Sequence, residues 1–172
     1  MELRLEGCRV RSWRSSDADA IARYANNRKI WLNMRDRLPH PYGVAAARDY
    51  LRYVRDLPDE TIFAVDVAGE AVGSIGYLPQ RDIERVSAEI GYWLGEPFWG
   101  RGIATAALRA VTQLAVDRHR LTRVYALPFA HNVASCRVLE KSGYVVEGRL
   151  RQSAIKDGVV QDQILYAYYA AR

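Results

Sequence analysis

Three groups of residues in this chain have types and spacings that fit chemistry: Glu89, the glycine-flanked Arg101, and the pair Asn132 and Ser135. A carboxylate on an alternating strand can accept a proton. Gly100 and Gly102 remove side chains where an apolar-striped segment begins, and the first amides of a helix have no intrahelical acceptor. Such a turn receives a phosphate or pyrophosphate, favoured by the positive end of the helix dipole. Asn132 and Ser135, three apart, share a helix face and can address one ligand. Each has a plainer reading: Glu89 as a charge on the solvent side of its strand, the glycine turn as a merely structural passage from strand to helix, Asn132 as an N-cap, and Ser135 as a packed serine bonded back to its helix.

The elements that must position these groups follow from periodicity. From Val86 to Leu94 the chain alternates, with Val86, Ala88, Ile90, Tyr92 and Leu94 on one face and Ser87, Glu89, Gly91 and Trp93 on the other. Glu89 is thereby set apart from the core-facing residues. Pro97 takes the chain out of the sheet, and Ile103, Ala107, Leu108, Val111, Leu114 and Ala115 stripe the helix that follows. Upstream, Cys8 to Trp13 reads as a strand, Ser16 caps a helix carrying Ile21, Tyr24 and Ala25, and Leu38 to Gly43 is a loop. Thr61 to Val67 and Ala71 to Leu78 form a hairpin around Ala68-Gly69-Glu70. Thr122 to Leu127 is a strand closed by Pro128, and Asn132 to Ser142 a helix ended by Gly143 in a left-handed cap with Tyr144 beyond it. Tyr144 to Arg151 and Val160 to Tyr169 make a last hairpin around Lys156-Asp157-Gly158.

Composition narrows the function classes. At 172 residues, 49% hydrophobic and 26% charged, the chain is expected to be one domain, residues 1–172, of the soluble globular class. No membrane span or signal peptide is expected, and a cytoplasmic location follows as the default. Cys8 and Cys136 form no C-x-x-C pair, and His40, His119 and His131 are scattered, so neither a disulfide framework nor a metal is expected. The net charge of +5 is spread: Arg48, Arg52 and Arg55 lie beside Asp49, Asp56 and Asp59, which favours a solvated helix face over a nucleic-acid surface. Gly73-Ser74-Ile75-Gly76 is one residue short of a hydrolase nucleophile elbow.

Trp99 to Ala104, WGRGIA, resembles the pyrophosphate loop Gln/Arg-x-x-Gly-x-Gly/Ala of the GNAT superfamily of acyl-CoA-dependent N-acetyltransferases, the match being to Gly102 and Ala104. Trp99 stands where the general pattern has Gln or Arg, and this Trp-Gly-basic-Gly version is similar to the RimJ/RimL branch, which acetylates ribosomal-protein N-termini. Residues 131 to 144 resemble the Asn-x-x-Ser/Ala helix of the same family and its Glu-Lys-x-Gly-Phe/Tyr ending. The element order β-α-α-β-β-β-α-β-α-β-β is likewise that of the GNAT fold, an α/β (α+β) class with a mixed, mostly antiparallel sheet of about seven strands and helices on both faces.

The resemblance implies acetyl-CoA as cosubstrate, with its pyrophosphate on the turn of Trp99, Gly100, Arg101, Gly102, Ile103, Ala104 and Thr105. It implies a backbone N–H near Trp93 or Leu94 polarising the thioester carbonyl, Asn132 holding the pantetheine, and Ser135 donating a proton to the thiolate. Many members of that family carry a tyrosine acid one turn later, where this chain has Leu139, so the acid role falls to Ser135 or to water. Glu89 is the candidate base, acting through a water, with Glu147 and Asp162 in reserve. The acceptor implied is a protein or peptide N-terminus. A polyamine or aminoglycoside acetyltransferase, a non-catalytic acyl-CoA-binding protein and a basic nucleic-acid binder are the competing readings; a monomer or homodimer is expected, with no nucleic acid or membrane partner.

Overall fold

The local signals for hairpins and caps hold wherever a residue with positive φ is needed. A computed structural model describes residues 1–171. Strands β1 (Glu2–Leu5), β2 (Cys8–Arg11), β3 (Ile62–Val67), β4 (Glu70–Pro79), β5 (Ser87–Leu94), β6 (Arg123–Ala126), β7 (Val145–Lys156) and β8 (Val159–Tyr169) form one sheet, in the order β1-β2-β3-β4-β5-β6-β8-β7. Helices α1 (Ala18–Ala25), α2 (Arg28–Trp31), α3 (Val44–Arg55), α4 (Ile103–His119) and α5 (Val133–Lys141) complete the order. The sheet is mostly antiparallel, with β5 and β6 running parallel. Among the described residues it has eight strands, not about seven, because Leu3 and Leu5 alternate with Glu2 and Arg4 in an additional edge strand, folded onto β2 through Gly7 at φ 76°. No helix among the described residues is long and apolar enough to cross a membrane.

By internal packing the chain divides into two compact units, the first Met1–Gly76 with Tyr92–Ala107 and the second Tyr77–Gly91 with Leu108–Arg172. In the first, β3 and β4 turn through Ala68 and Gly69, both at positive φ, as the two central residues of this hairpin type require. Ala18, Ile21 and Ala25 of α1, Ile30 of α2, Tyr42, and Ala47 of α3 form a buried cluster with Trp93 of β5. Trp93 lies on the strand face expected to be non-core; it is only 7% exposed because α1 to α3 supply the apolar cover that the strand's own alternation cannot reveal. Val86, expected on the core face, lies before β5 and is 44% exposed.

The start of α1 also departs from expectation. Ser16 sits inside a short 3-10 turn, and the residue that satisfies the helix entry is Asp17, whose carboxylate accepts from the Arg14 amide at 2.8 Å. That carboxylate is at the same time clasped by both terminal nitrogens of the buried Arg11 at 2.8 and 2.9 Å, while Arg11 Nε donates to Asp66 at 2.7 Å. Arg9 and the Gly69 amide complete the shell of Asp66, each at 2.9 Å. A charge removed from water is tolerated when its hydrogen-bonding capacity is met, and this cluster ties β2, the β3–β4 hairpin and the entry to α1 together.

In the second unit, β6 pairs antiparallel with β8 and β8 with β7, the latter pair turning through Asp157 and Gly158, both at positive φ. Bulges at Val146/Gly148 and Leu150/Ala154 carry β7 beyond Arg151 to Lys156. Helix α5 ends as expected: Gly143 takes φ 88°, its amide bonds to Glu140 O, and the Tyr144 amide bonds to Leu139 O, the two bonds of a Schellman ending.

Candidate active site

In the first unit, β5 ends at Leu94, a 3-10 turn spans Glu96–Phe98, and α4 opens at Ile103. Gly100 and Gly102 adopt φ 72° and 77°, a conformation that side chains strain, and a Cβ at either would meet nothing within 4 Å. Glycine is therefore demanded by the backbone path, and the space in front of the turn is open. The first amide bonded across the helix start is that of Ala106, to Gly102 O at 3.0 Å, so the amides of Ile103, Ala104 and Thr105 precede the helical ladder. The Ile103 side chain is buried, which turns its contribution outward to the backbone alone. Arg101 is exposed and lies with its guanidinium 5.5 Å from the centre of the Phe98 ring. An open turn of amides with a neighbouring cation fits a pyrophosphate.

Trp93 and Leu94 are both buried, and their backbone is fixed by close neighbours. A Cβ on Gly73 of β4 would come within 2.5 Å of Trp93 O, and the Gly95 amide donates to Val72 O at 2.7 Å. The Trp99 indole Nε1–H donates to Leu94 O at 2.6 Å. These partners were missed in the sequence: Gly73-Ser74-Ile75-Gly76 invited comparison with a hydrolase elbow, whereas Gly73 serves a close backbone approach and the Ser74 hydroxyl pairs with Tyr50 at 2.9 Å.

In the second unit, Glu89 is half-buried and stands opposite Tyr125 in the parallel β5–β6 pair. Asn132 is the N-cap of α5, its side-chain oxygen accepting from the Ser135 amide at 3.2 Å. Capping uses only that oxygen, and an asparagine amide carries two further donors. Ser135 lies in the first turn of α5, half-buried. Leu139, one turn after Ser135, is fully buried. Tyr166 donates to Glu140 at 2.8 Å; burial first, then Glu140, pushes its hydroxyl well above the ordinary tyrosine value.

The two reserve carboxylates are committed elsewhere. Glu147 is bound by Arg123, at 3.0 Å to Nε, and by the Tyr169 hydroxyl; the Arg123 bond, the largest influence, holds it below the usual carboxylate range. Asp162 accepts first from the Gln152 amide at 2.8 Å and then from Arg149 at 2.7 Å, and both depress it. It closes the bulge at Gln152, which sits at φ 51°. Among the described residues no cluster of three or more His, Cys, Asp or Glu side chains is arranged to hold a metal ion.

An acetyltransferase (GNAT) domain model matches residues 8–145. YdaF of Bacillus subtilis (strain 168) is 33% identical over 54% of this chain and 51% of its own length. The ribosomal-protein-serine acetyltransferase of Escherichia coli (strain K12) is 30% identical over 62% of this chain and 59% of its own length. The matched segments thus span little more than half of these two relatives. Among solved structures, RimJ of Mycobacterium smegmatis in complex with CoA-disulfide superposes with a TM-score of 0.85 at 26% identity, over 99% of this chain and 86% of that one.

Proposed function

The chain belongs to the acetyltransferase (GNAT) family, and from that premise we propose that it transfers the acetyl group of acetyl-CoA to the N-terminal amine of a protein or peptide, by direct attack in a ternary complex. The observation that carries the reading is the open, doubly left-handed glycine turn at the start of α4, which combines amides that precede the helical ladder with an exposed arginine. The amides from Arg101 to Thr105 would take the pyrophosphate, and the free donors of the Asn132 amide the pantetheine. An amide at Trp93 or Leu94 would polarise the thioester carbonyl, whose developing oxyanion is what a fixed donor stabilises best.

Transfer to an amine also needs a proton removed from the nucleophile and one supplied to the departing thiolate. Glu89 would accept the first through a water. Ser135 would donate the second, since Leu139 is sealed in the core and Tyr166 is tied to Glu140. An N-terminal amine, with a pKa of about 8, presents a larger neutral fraction at physiological pH than a lysine at about 10.4, and so asks less of a carboxylate base. The polycation alternative needs acidic residues to offset a net charge of +5, and two of the three candidates, Glu147 and Asp162, already hold arginines. The relatives named for ribosomal-protein acetylation favour a protein acceptor.

The test follows CoA release with a panel of short peptides bearing free N-termini, spermidine and an aminoglycoside. Turnover of peptides above the polycations is expected. Efficient turnover of the polycations with none of the peptides would overturn the acceptor while leaving the fold assignment intact.

A further inference from the structure

Trp99 is an aromatic residue at an exposed turn, and its position calls for an explanation. It is 44% exposed, so burial of its ring does not account for a tryptophan there. Its indole N–H instead reaches back across the 3-10 turn to the carbonyl of Leu94, at 2.6 Å and five residues earlier. The intervening chain is wound tightly enough for that reach: Phe98 N bonds to Gly95 O at 3.0 Å and Trp99 N to Glu96 O at 3.2 Å. The peptide that Trp99 grips is also held from its other side, because the Gly95 N–H donates to Val72 O at 2.7 Å. One peptide plane earlier, the Trp93 carbonyl fits where Gly73 has no side chain. The two planes that meet at Leu94 are therefore both fixed, and the last of the restraints is the Trp99 indole.

We propose that Trp99 is a positioning residue: through the Leu94 carbonyl it fixes the strand-end amide at Leu94 relative to the Gly100–Gly102 turn, so that one molecule of acetyl-CoA meets both in register. This rests on the reading that the turn takes the pyrophosphate and the strand end the thioester carbonyl. Its indole N–H is spent on Leu94 and is not a donor to the cosubstrate. Loss of that one hydrogen bond therefore changes the polarisation of the thioester and the rate, and leaves affinity nearly unchanged. A neutral hydrogen bond contributes about 0.5–1.5 kcal/mol, which corresponds to a fall in kcat of about two- to thirteenfold.

The test replaces Trp99 with 3-benzothienylalanine, which keeps the shape of the ring and exchanges the N–H for sulfur, and with phenylalanine as a genetically encoded partner. Calorimetric titration with acetyl-CoA measures affinity, and the carbonyl carbon resonance of bound acetyl-CoA labelled at that carbon measures polarisation without any acceptor. The expected result is affinity within about twofold of wild type, a carbonyl resonance displaced from that of free acetyl-CoA in the wild type and returned toward it in both variants, and a matching loss of kcat on the fastest peptide of the panel. An unchanged resonance and kcat in the sulfur isostere would overturn the proposal. So would a loss of affinity as large as the loss of rate, which would make Trp99 a direct contact. A wild-type protein that binds no acetyl-CoA would overturn the parent reading and this one with it, whereas binding and turnover indifferent to the N–H would overturn this one alone.

Discussion

Glu89 illustrates how far one residue can be read from its neighbours in sequence. Alternation along β5 separates it from Ala88 and Ile90, both buried, and it remains half-buried. The same alternation was a poor guide four residues on, where Trp93 on the Glu89 face is buried by helices whose positions no local pattern encodes. If Glu89 assists deprotonation, Glu89→Gln lowers the rate at neutral pH by about a hundred- to ten-thousandfold and recovers part of it at high pH, where the amine is already neutral. A pH profile of kcat/KM for both proteins checks this; a constant ratio across pH would transfer the role to solvent. Gly102 is bound by a stricter demand, since its φ of 77° admits other residues only with strain. Gly102→Asp adds that strain and sets a carboxylate before the proposed pyrophosphate. Calorimetry is expected to find acetyl-CoA binding abolished in a variant that circular dichroism shows to be folded; unchanged affinity would remove the turn from the cosubstrate site.

At the level of elements, the features legible in sequence were those written in a few adjacent residues. The Ala68-Gly69 and Asp157-Gly158 turns, the Asn132 cap and the Gly143 ending of α5 each depend on φ or on a side chain reaching three residues along. Those not legible join distant segments: β1 needs β2 to exist, Ser16 lost its capping role to Asp17, and Arg11 meets Asp66 across 55 positions. That ion cluster carries a pH dependence of definite sign. Burial alone would raise the Asp66 carboxyl; hydrogen bonds from Arg11, Arg9 and the Gly69 amide outweigh it and hold the group below its ordinary value. A carboxyl made more acidic by folding stabilises the fold fully above its unfolded pKa of about 3.9, and that contribution is lost as pH falls through the folded value. Urea midpoints are therefore expected to decline as pH drops below about 4, and Asp66→Asn is expected to flatten this decline while costing about 1.5–3 kcal/mol at neutral pH, since Arg11 loses the anionic acceptor of its Nε but keeps its paired bonds to Asp17. Equal acid sensitivity in the two proteins would show that the cluster is not responsible.

For the molecule as a whole, the net charge of +5 first raised nucleic acid as a partner and then proved a weak discriminator, because arginines such as Arg52, Arg123 and Arg149 are matched to Asp49, Glu147 and Asp162. What the sequence conveyed most fully was the family, since its motifs lie in contiguous stretches and the domain match spans residues 8–145. The acceptor is less legible, as it depends on side chains gathered from elements far apart in the chain. The central claim is transfer of acetyl to an N-terminal amine, and one measurement addresses it: a peptide carrying both a free N-terminus and an internal lysine is incubated with the protein and acetyl-CoA near pH 7, and the modified atom is located by fragmentation mass spectrometry. Acetylation confined to the N-terminal nitrogen is the predicted result; acetylation of the lysine alone, or of neither amine, would contradict it.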